Sequence, residues 1–414
     1  MIDDNNIYSA EITGYGYDGE GICRLDGKVC FVRYVLKDEK VSLKIKSSKS
    51  SFCKGELLKV LVKSPLREEA PCPYFTKCGG CVYQHTNYEN ELKIKLQLLK
   101  NQFSKIGYNK EINFVPSPKQ YGYRNKIKLF VDRNKIGLKK NESNEIIDID
   151  KCLLVDNLIN KAIENIRVFI NAQNLFDDIS EIVIRQEENL CLINFIMKKN
   201  KVLNFQGLYL MLGSNFGIYQ TYNKITTYEI GQKFLFANEL GLSAKFNVNS
   251  FHQVNKYLTS QLYQKVVDSI MGDSVVNCYS GAGVLSGVLS KHCSRVVGIE
   301  LGKAEHFDAE KLKEENGLFN LLNINGDCAK VLYNLDEDFE TIIVDPPRAG
   351  IDKKVVESIN NSLCKRLIYV SCNSATLIRD LSYLTSCQVC EVILFDMFAR
   401  TGEYETLVIL NRKA

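Results

Sequence analysis

Nowhere in its 414 residues does the chain approach the run of roughly 18–20 apolar residues that a membrane-spanning helix needs, which excludes that class. Internal repeats and low-complexity tracts are absent, and with them the repeat architectures. There is no tryptophan, an absence that excludes nothing. The opening Met1-Ile2-Asp3-Asp4-Asn5-Asn6 lacks the basic-then-apolar order of a secretory signal, so the expected address is the cytoplasm. Net charge is small as well, +4 from 53 Lys and Arg against 49 Asp and Glu. What the sequence has in quantity is cysteine, fifteen in all. In a reducing compartment these are thiols, metal ligands or catalysts rather than disulfides. The apolar and charged shares, 45% and 25%, are those of an ordinary globular protein, and the length suits two to four domains.

The charge is unevenly spread. Between positions 40 and 63 seven lysines face one acid, Glu56, and between 119 and 140 eight basic residues face Asp132 alone. Such clusters suit a polyanion, because each neutralised phosphate releases counterions; a solvated face is the alternative. Residues 1–65 read as short strands split by Gly14, Gly16, Gly19 and Gly21, with period-two alternation in Lys40-Val41-Ser42-Leu43-Lys44-Ile45, a pattern that fits a small β-barrel of the oligonucleotide-binding kind. After a linker bracketed by Pro65 and Pro71, Leu92, Leu96, Leu99, Phe103 and Ile106 predict a helix over 88–106, stopped by Gly107. Strand-like segments, among them 126–131, 181–184 and 192–196, dominate up to about 232. From 235 onward short buried-type strands at 275–278, 296–299, 341–344, 367–370 and 406–409 alternate with helices, notably 285–291 and 303–316. That alternation predicts an open, mostly parallel sheet covered on both faces.

Chemistry-bearing motifs sit at the ends of these strands. Asn277-Cys278-Tyr279-Ser280-Gly281-Ala282-Gly283 follows one strand and opens a helix, and Glu300 lies 17 residues after Gly283 at the end of the next strand. An acid there can accept hydrogen bonds from both ribose hydroxyls of an adenosine-bearing cofactor. Position 286 is Ser where a phosphate-cradling loop would carry a third glycine, which points to a nucleoside cofactor without pyrophosphate, such as S-adenosylmethionine. Asp345-Pro346-Pro347-Arg348 ends another strand, where open α/β sheets bind ligands. Cys372, in Ser371-Cys372-Asn373-Ser374, ends the next and precedes a helix predicted over 376–384, whose N-terminal amides are expected to lower the thiol pKa. A buried structural cysteine is the plain alternative.

Cys72-x5-Cys78-x2-Cys81 puts three cysteines in ten residues beside two glycines and a proline. A fourth ligand is needed, and Cys152 is the best candidate, with Cys191 next. Four thiolates could hold zinc or a [4Fe–4S] cluster; three close ligands and a remote one favour the cluster over zinc, and the x5 spacing disfavours radical S-adenosylmethionine chemistry.

Together these segments resemble the RNA uracil-C5 methyltransferase family, nearly end to end. The resemblance implies an α/β protein of three parts: a TRAM-like β-barrel over 1–65 that binds RNA, a central α+β domain over 66–234 carrying the cysteine cluster, and a doubly wound, Rossmann-like class I methyltransferase domain over 235–414. Cys72, Cys78, Cys81 and Cys152 are similar to the family's iron–sulfur ligands. Tyr121-Gly122-Tyr123-Arg124-Asn125-Lys126 looks like its Tyr-Arg-Asn-Lys signature, and Phe251-His252-Gln253-Val254-Asn255 resembles Phe-x-Gln-x-Asn, whose glutamine contacts the cofactor. By the same matching Gln253, Tyr279, Glu300 and Asp345 fall on cofactor positions, Cys372 on the nucleophile and Glu405 on the general base. Ala399 and Glu403 stand where the family's last motif usually has proline and histidine, Val284 where some members have asparagine, and Asp327 where an acid follows the third strand.

The implied activity is methyl transfer from S-adenosylmethionine to C5 of an RNA uridine. The implied partner is RNA, ribosomal RNA favoured over transfer RNA, with no membrane and no protein partner. The rivals are a transfer-RNA uracil-C5 methyltransferase, an RNA cytosine-C5 methyltransferase, and a non-catalytic RNA-binding iron–sulfur protein on a degenerate fold.

Overall fold

A computed structural model describes residues 6–250, 252–335 and 338–413. The N-terminal signal reading (residues 1–5) and Phe251 lie outside the described residues. The first sheet has six strands, Ile7–Glu11, Gly14–Tyr15, Gly21–Leu25, Lys28–Val32, Lys40–Ser48 and Phe52–Val62, laid side by side as first, fifth, sixth, fourth, third, second. Alternation in Lys40–Ser48 turns Val41, Leu43 and Ile45 inward and Lys40, Lys44 and Lys46 to solvent. Cys23, Cys30 and Cys53 fill the same core as small apolar side chains. Asp26 and Gly27, both at positive φ (49° and 81°), make the two-residue hairpin turn between the third and fourth strands.

The middle sheet has seven strands in the order Ile146–Asp148, Lys135–Lys139, Lys126–Asp132, Ile179–Glu187, Leu190–Met197, Phe216–Tyr222, Ile225–Gly231. Helix Asn157–Gln173 covers it, burying Ile159, Ile163, Ile166 and Ile170 at helical spacing. A hairpin, Leu235–Glu239 with Leu242–Phe246, leads into the third sheet.

The third sheet has eight strands, ordered Leu321–Asn325, Arg295–Glu300, Ser274–Cys278, Thr341–Val344, Arg366–Ser371, Glu405–Arg412, Cys387–Phe395, Asn113–Val115. The first five are mutually parallel, and Glu405–Arg412 runs antiparallel to both its neighbours. Helices separate the parallel strands in sequence, and two apolar layers rich in Val, Ile and Leu lie against the sheet. The fold is therefore α/β with a Rossmann-like C-terminal part, preceded by mixed α+β and barrel-like sheets.

One segment crosses the expected boundary. Residues 88–115, which the sequence places in the central region, pack with the third sheet: Leu99, Phe103 and Ile112 join its core, and Asn113–Val115 pairs with Ile393–Phe395. The helix itself is as expected, Tyr88–Phe103 with a 3-10 turn Ser104–Ile106 and Gly107 at φ 76°. Among the described residues no helix is long and apolar enough to cross a membrane.

Candidate active site and cysteine cavity

Register alone brings the strand-end residues together. Cys278 pairs with Val344, Val344 with Tyr369, and Ser371 with Thr406. The next residues along, Tyr279, Asp345 and Cys372, and Glu405 just before Thr406, therefore emerge at one edge of the sheet. Glu300, at the end of the strand beside Ser274–Cys278, shares that edge.

The loop after Cys278 is tightly wound. Tyr279, Gly281 and Gly283 all have positive φ (61°, 55° and 77°), and a Cβ on Gly283 would sit 2.7 Å from that of Ala309. The strained Tyr279 has a side chain, so its conformation is imposed by the surroundings. Glu300 holds the loop: its two carboxylate oxygens accept from Gly281 N (2.8 Å) and Gly302 N (2.7 Å). Each oxygen keeps a lone pair for a further donor, as a ribose diol requires. Asp327 instead caps the short helix after its strand, accepting from Ala329 N. Gln253 does not come from a strand end. It is buried at the junction with the middle sheet, where its backbone carbonyl accepts from Asn125 Nδ2 (3.1 Å).

Cys372, Asp345 and Glu405 interact electrostatically, and all three are held towards their neutral forms. Burial pushes the Asp345 carboxyl up to about 7. Burial, then Asp345 and Glu403, pushes Glu405 well above the usual carboxylate range, with Arg348 opposing. Burial, then Glu405, pushes the Cys372 thiol up to about 11, against the pull of Arg348. This reverses the expected depression. The helix that follows starts only at Ser374, its Ala375 N is already capped by Asn373 Oδ1 (3.0 Å), and the desolvated, acid-lined surroundings outweigh its amides.

Two features of the site escaped the sequence reading. Arg348 hydrogen-bonds Glu403, so the residue in the usual histidine position holds the cation that pulls the Cys372 thiol down. The cavity over Cys372, about 150 Å³, is walled not only by Arg348, Asn373, Glu403 and Tyr404 but by Tyr17 and Asp18 of the barrel. The glycine run at 14–21 marks a tight turn in sequence, and nothing there tells what the turn touches.

The segment leading to Glu405 is fixed from below. Lys95, fully buried, contacts Glu91 (2.8 Å) and Asp396 (2.7 Å), and Tyr88 OH donates to Asp396 (2.6 Å). Arg400 N donates to Glu91 (2.7 Å), and the Arg400 carbonyl accepts from Val82 N and Tyr83 N. Tyr123, from the Tyr-Arg-Asn-Lys motif, donates to Ala399 O (3.0 Å), and Asn255 Nδ2 donates to Met397 O (3.1 Å). Both motifs thus position the Glu405 segment.

Cys72, Cys78, Cys81 and Cys152 line one cavity of about 220 Å³, together with Arg124, Lys126 and Lys151. Cys191 is instead fully buried in the middle core. Burial raises the Cys78, Cys81 and Cys152 thiols, Cys81 to about 12, while Arg124 pulls Cys78 and Cys152 down. Arg124 Nε is buried without a partner. Among the described residues no group of three or more His, Cys, Asp or Glu side chains is placed to hold a metal ion, so the four thiols ring a space rather than meet at a point. Four soft donors around a cavity, beside a guanidinium whose buried Nε has no partner, fit an anionic, thiolate-bound group.

The two basic clusters differ. The barrel lysines are largely exposed, although Lys46 and Lys54 reach Glu142 of the middle sheet's hairpin. In the central cluster Arg124 and Lys126 face the cysteine cavity, and Lys128, Arg133 and Lys140 pair with Glu181, Asp132 and Glu145.

Comparison with known proteins matches residues 330–413 to the tRNA (uracil-5-)-methyltransferase family model and residues 5–58 to the TRAM domain. An uncharacterized RNA methyltransferase of Clostridium acetobutylicum is 33% identical, across 99% of this chain and 97% of the relative. The 23S rRNA (uracil(1939)-C(5))-methyltransferase of Francisella tularensis subsp. novicida is 27% identical, across 98% and 97%. Among solved structures, the tRNA (uracil-54, C5)-methyltransferase of Pyrococcus abyssi, in complex with S-adenosyl-L-homocysteine, superposes with a TM-score of 0.82 at 25% identity, covering 97% of this chain and 100% of that one.

Proposed function

Since the chain belongs to the RNA uracil-C5 methyltransferase family, and is an S-adenosylmethionine-dependent enzyme of it, we propose that it methylates a uridine of ribosomal RNA through a covalent adduct on Cys372. The convergence of Asp345, Cys372 and Glu405 on adjacent strand ends, beside the Glu300 loop, carries this reading. S-adenosylmethionine, when bound, supplies a methyl group on a positively charged sulfonium. Glu300 would accept from its ribose hydroxyls, and Tyr279, Asp345 and Gln253 would complete its pocket.

Uracil C5 is a weak nucleophile, and Cys372 changes that. Its thiolate bonds to C6, and the C5–C6 π pair moves towards the C4 carbonyl oxygen as an enolate. The enolate pair returns through C5 to the methyl carbon, and the methyl–sulfur bond breaks with its pair left on a neutral sulfur. Glu405 acts in its ionised form, which the burial that raises its pKa makes the stronger base: the carboxylate takes the C5 proton, the freed pair restores the C5–C6 double bond, and the bond from C6 to sulfur breaks, its pair leaving on Cys372. The target base must leave its stack to reach the cavity over Cys372, which favours a single-stranded segment. The exposed barrel lysines would follow the RNA backbone.

Cys72, Cys78, Cys81 and Cys152 would hold a [4Fe–4S] cluster, which would brace the segment that leads to Glu405, since Cys81 and Cys152 pack beside Ala399. The cytoplasm, where ribosomal RNA and reduced thiols coincide, is the compartment that suits this reading.

Unmodified 23S rRNA and unmodified tRNA transcripts, offered separately with labelled cofactor, test the target. The reading expects 5-methyluridine in the 23S transcript. Label confined to tRNA would replace the ribosomal assignment with the transfer-RNA one, which the Pyrococcus likeness favours, and 5-methylcytidine would refute uracil chemistry.

A further inference from the structure

We propose that Tyr17 of the N-terminal barrel is a positioning residue for the Cys372 turn, so that the RNA-binding barrel and the nucleophile form one working unit. The inference rests on the methyl-transfer reading above. Tyr17 OH donates to Asn373 Oδ1 (2.6 Å) and accepts from Ala375 N (3.2 Å), across more than 350 residues of sequence. Asn373 immediately follows Cys372 and caps the helix that starts at Ser374, so the phenol grips the turn at its cap. The Tyr17 ring and Asp18 also wall the cavity over Cys372.

The barrel turn that presents Tyr17 is built for this approach. Gly16 N donates to Glu20 O (2.7 Å) and Gly19 N to Gly16 O (3.0 Å), closing the turn around Tyr17 and Asp18. Gly19, at φ 77°, lies so close to Tyr83 that a Cβ there would fall 2.1 Å from the Tyr83 hydroxyl. Gly402 gives similar room on the other side: a Cβ on it would come 3.0 Å from Asp18 O. The turn is thus wedged between the segment carrying Glu405 and the turn carrying Cys372. A tyrosine in the wall of a pocket of this size suits a flipped pyrimidine, and its hydroxyl, bonded to Asn373 and Ala375, holds the turn that carries the nucleophile.

The test compares the full-length wild type with Tyr17→Phe, Tyr17→Ala and Cys372→Ala. Three quantities are read: RNA affinity, single-turnover methylation of 23S and tRNA transcripts, and alkylation of Cys372 by iodoacetamide without RNA, followed by peptide mass spectrometry. Tyr17→Phe keeps the ring and loses only the hydroxyl. It should lower the single-turnover rate about tenfold, leave RNA affinity within about twofold, and change the Cys372 alkylation rate. Tyr17→Ala should also weaken RNA binding. Wild-type turnover and alkylation in Tyr17→Phe, or a defect confined to affinity, would overturn the proposal. A wild type that methylates neither transcript would refute the methyl-transfer reading instead, and the alkylation rates would still decide whether Tyr17 sets the Cys372 turn.

Discussion

Alkylation of Cys372 in the ligand-free protein should speed up about tenfold per pH unit from pH 6.5 to 10 without reaching a plateau. The thiol is pushed up to about 11 by burial and by Glu405. At pH 7.5 that leaves roughly one molecule in 3,000 as thiolate, against about one in ten for an unperturbed thiol. A nucleophile so suppressed needs a positive charge to arrive with the reactants. A sulfonium about 5 Å away, at an effective dielectric near 20, would favour the thiolate by about 3 kcal/mol, or roughly two pKa units. S-adenosylmethionine should therefore accelerate alkylation at pH 7.5 about a hundredfold relative to S-adenosylhomocysteine, which has the same shape and no sulfonium charge. Iodoacetamide labelling quantified on the Cys372 peptide measures both effects. A plateau with a midpoint near pH 8 in the free protein, or equal rates with the two ligands, would refute the electrostatic reasoning.

Glu405→Gln should permit attack and methyl transfer but not proton removal, so covalent enzyme–RNA complex should accumulate while release of methylated RNA falls about 10²–10⁴-fold, visible as a persistent shifted band on denaturing gels. Lys95→Met leaves Asp396 buried without its cation, and Glu91 with Arg400 alone (3.6 Å), and should cost about 3–5 kcal/mol in denaturant unfolding. His252 sits between Glu187 (3.1 Å) and Glu239 (3.5 Å); burial opposes its charge, yet the two carboxylates raise it to about 9. Because that value lies above the unfolded one near 6.5, its stabilisation is complete below pH 6.5 and lost as pH rises through 9, worth about 3 kcal/mol, and His252→Gln should remove that slope from the stability–pH curve. Anaerobic purification should yield a coloured protein with about four irons per chain, and Cys81→Ser should lose both iron and turnover. A colourless protein containing zinc would overturn the cluster.

The strand-end chemistry was legible because it is local. Glycines at 281 and 283, an acid 17 residues on, and short buried strands each carry a pattern of period or spacing. The long helix was legible from apolar positions three and four apart. What stayed hidden depends on contacts between distant segments. Asn113–Val115 is three residues long, and only its partner Ile393–Phe395 makes it part of the third sheet. The helix N-terminus after Cys372 is readable in sequence and predicts a depressed thiol, whereas the burial that outweighs it and the facing Glu405 of the antiparallel last strand arise only in the fold. Tyr17 was invisible for the same reason: a tyrosine in a glycine-rich turn looks like any other until the barrel is docked.

The central claim is that Cys372 bonds covalently to a uracil of RNA. The direct measurement is to incubate the protein with 5-fluorouridine-substituted 23S transcript and labelled cofactor, digest protein and RNA, and sequence the cross-linked peptide by mass spectrometry. Fluorine at C5 cannot leave as a proton, so the account predicts a stable, methylated nucleotide on the Cys372 peptide with wild-type protein and none with Cys372→Ala. An adduct on another residue, or one formed equally by Cys372→Ala, would contradict it.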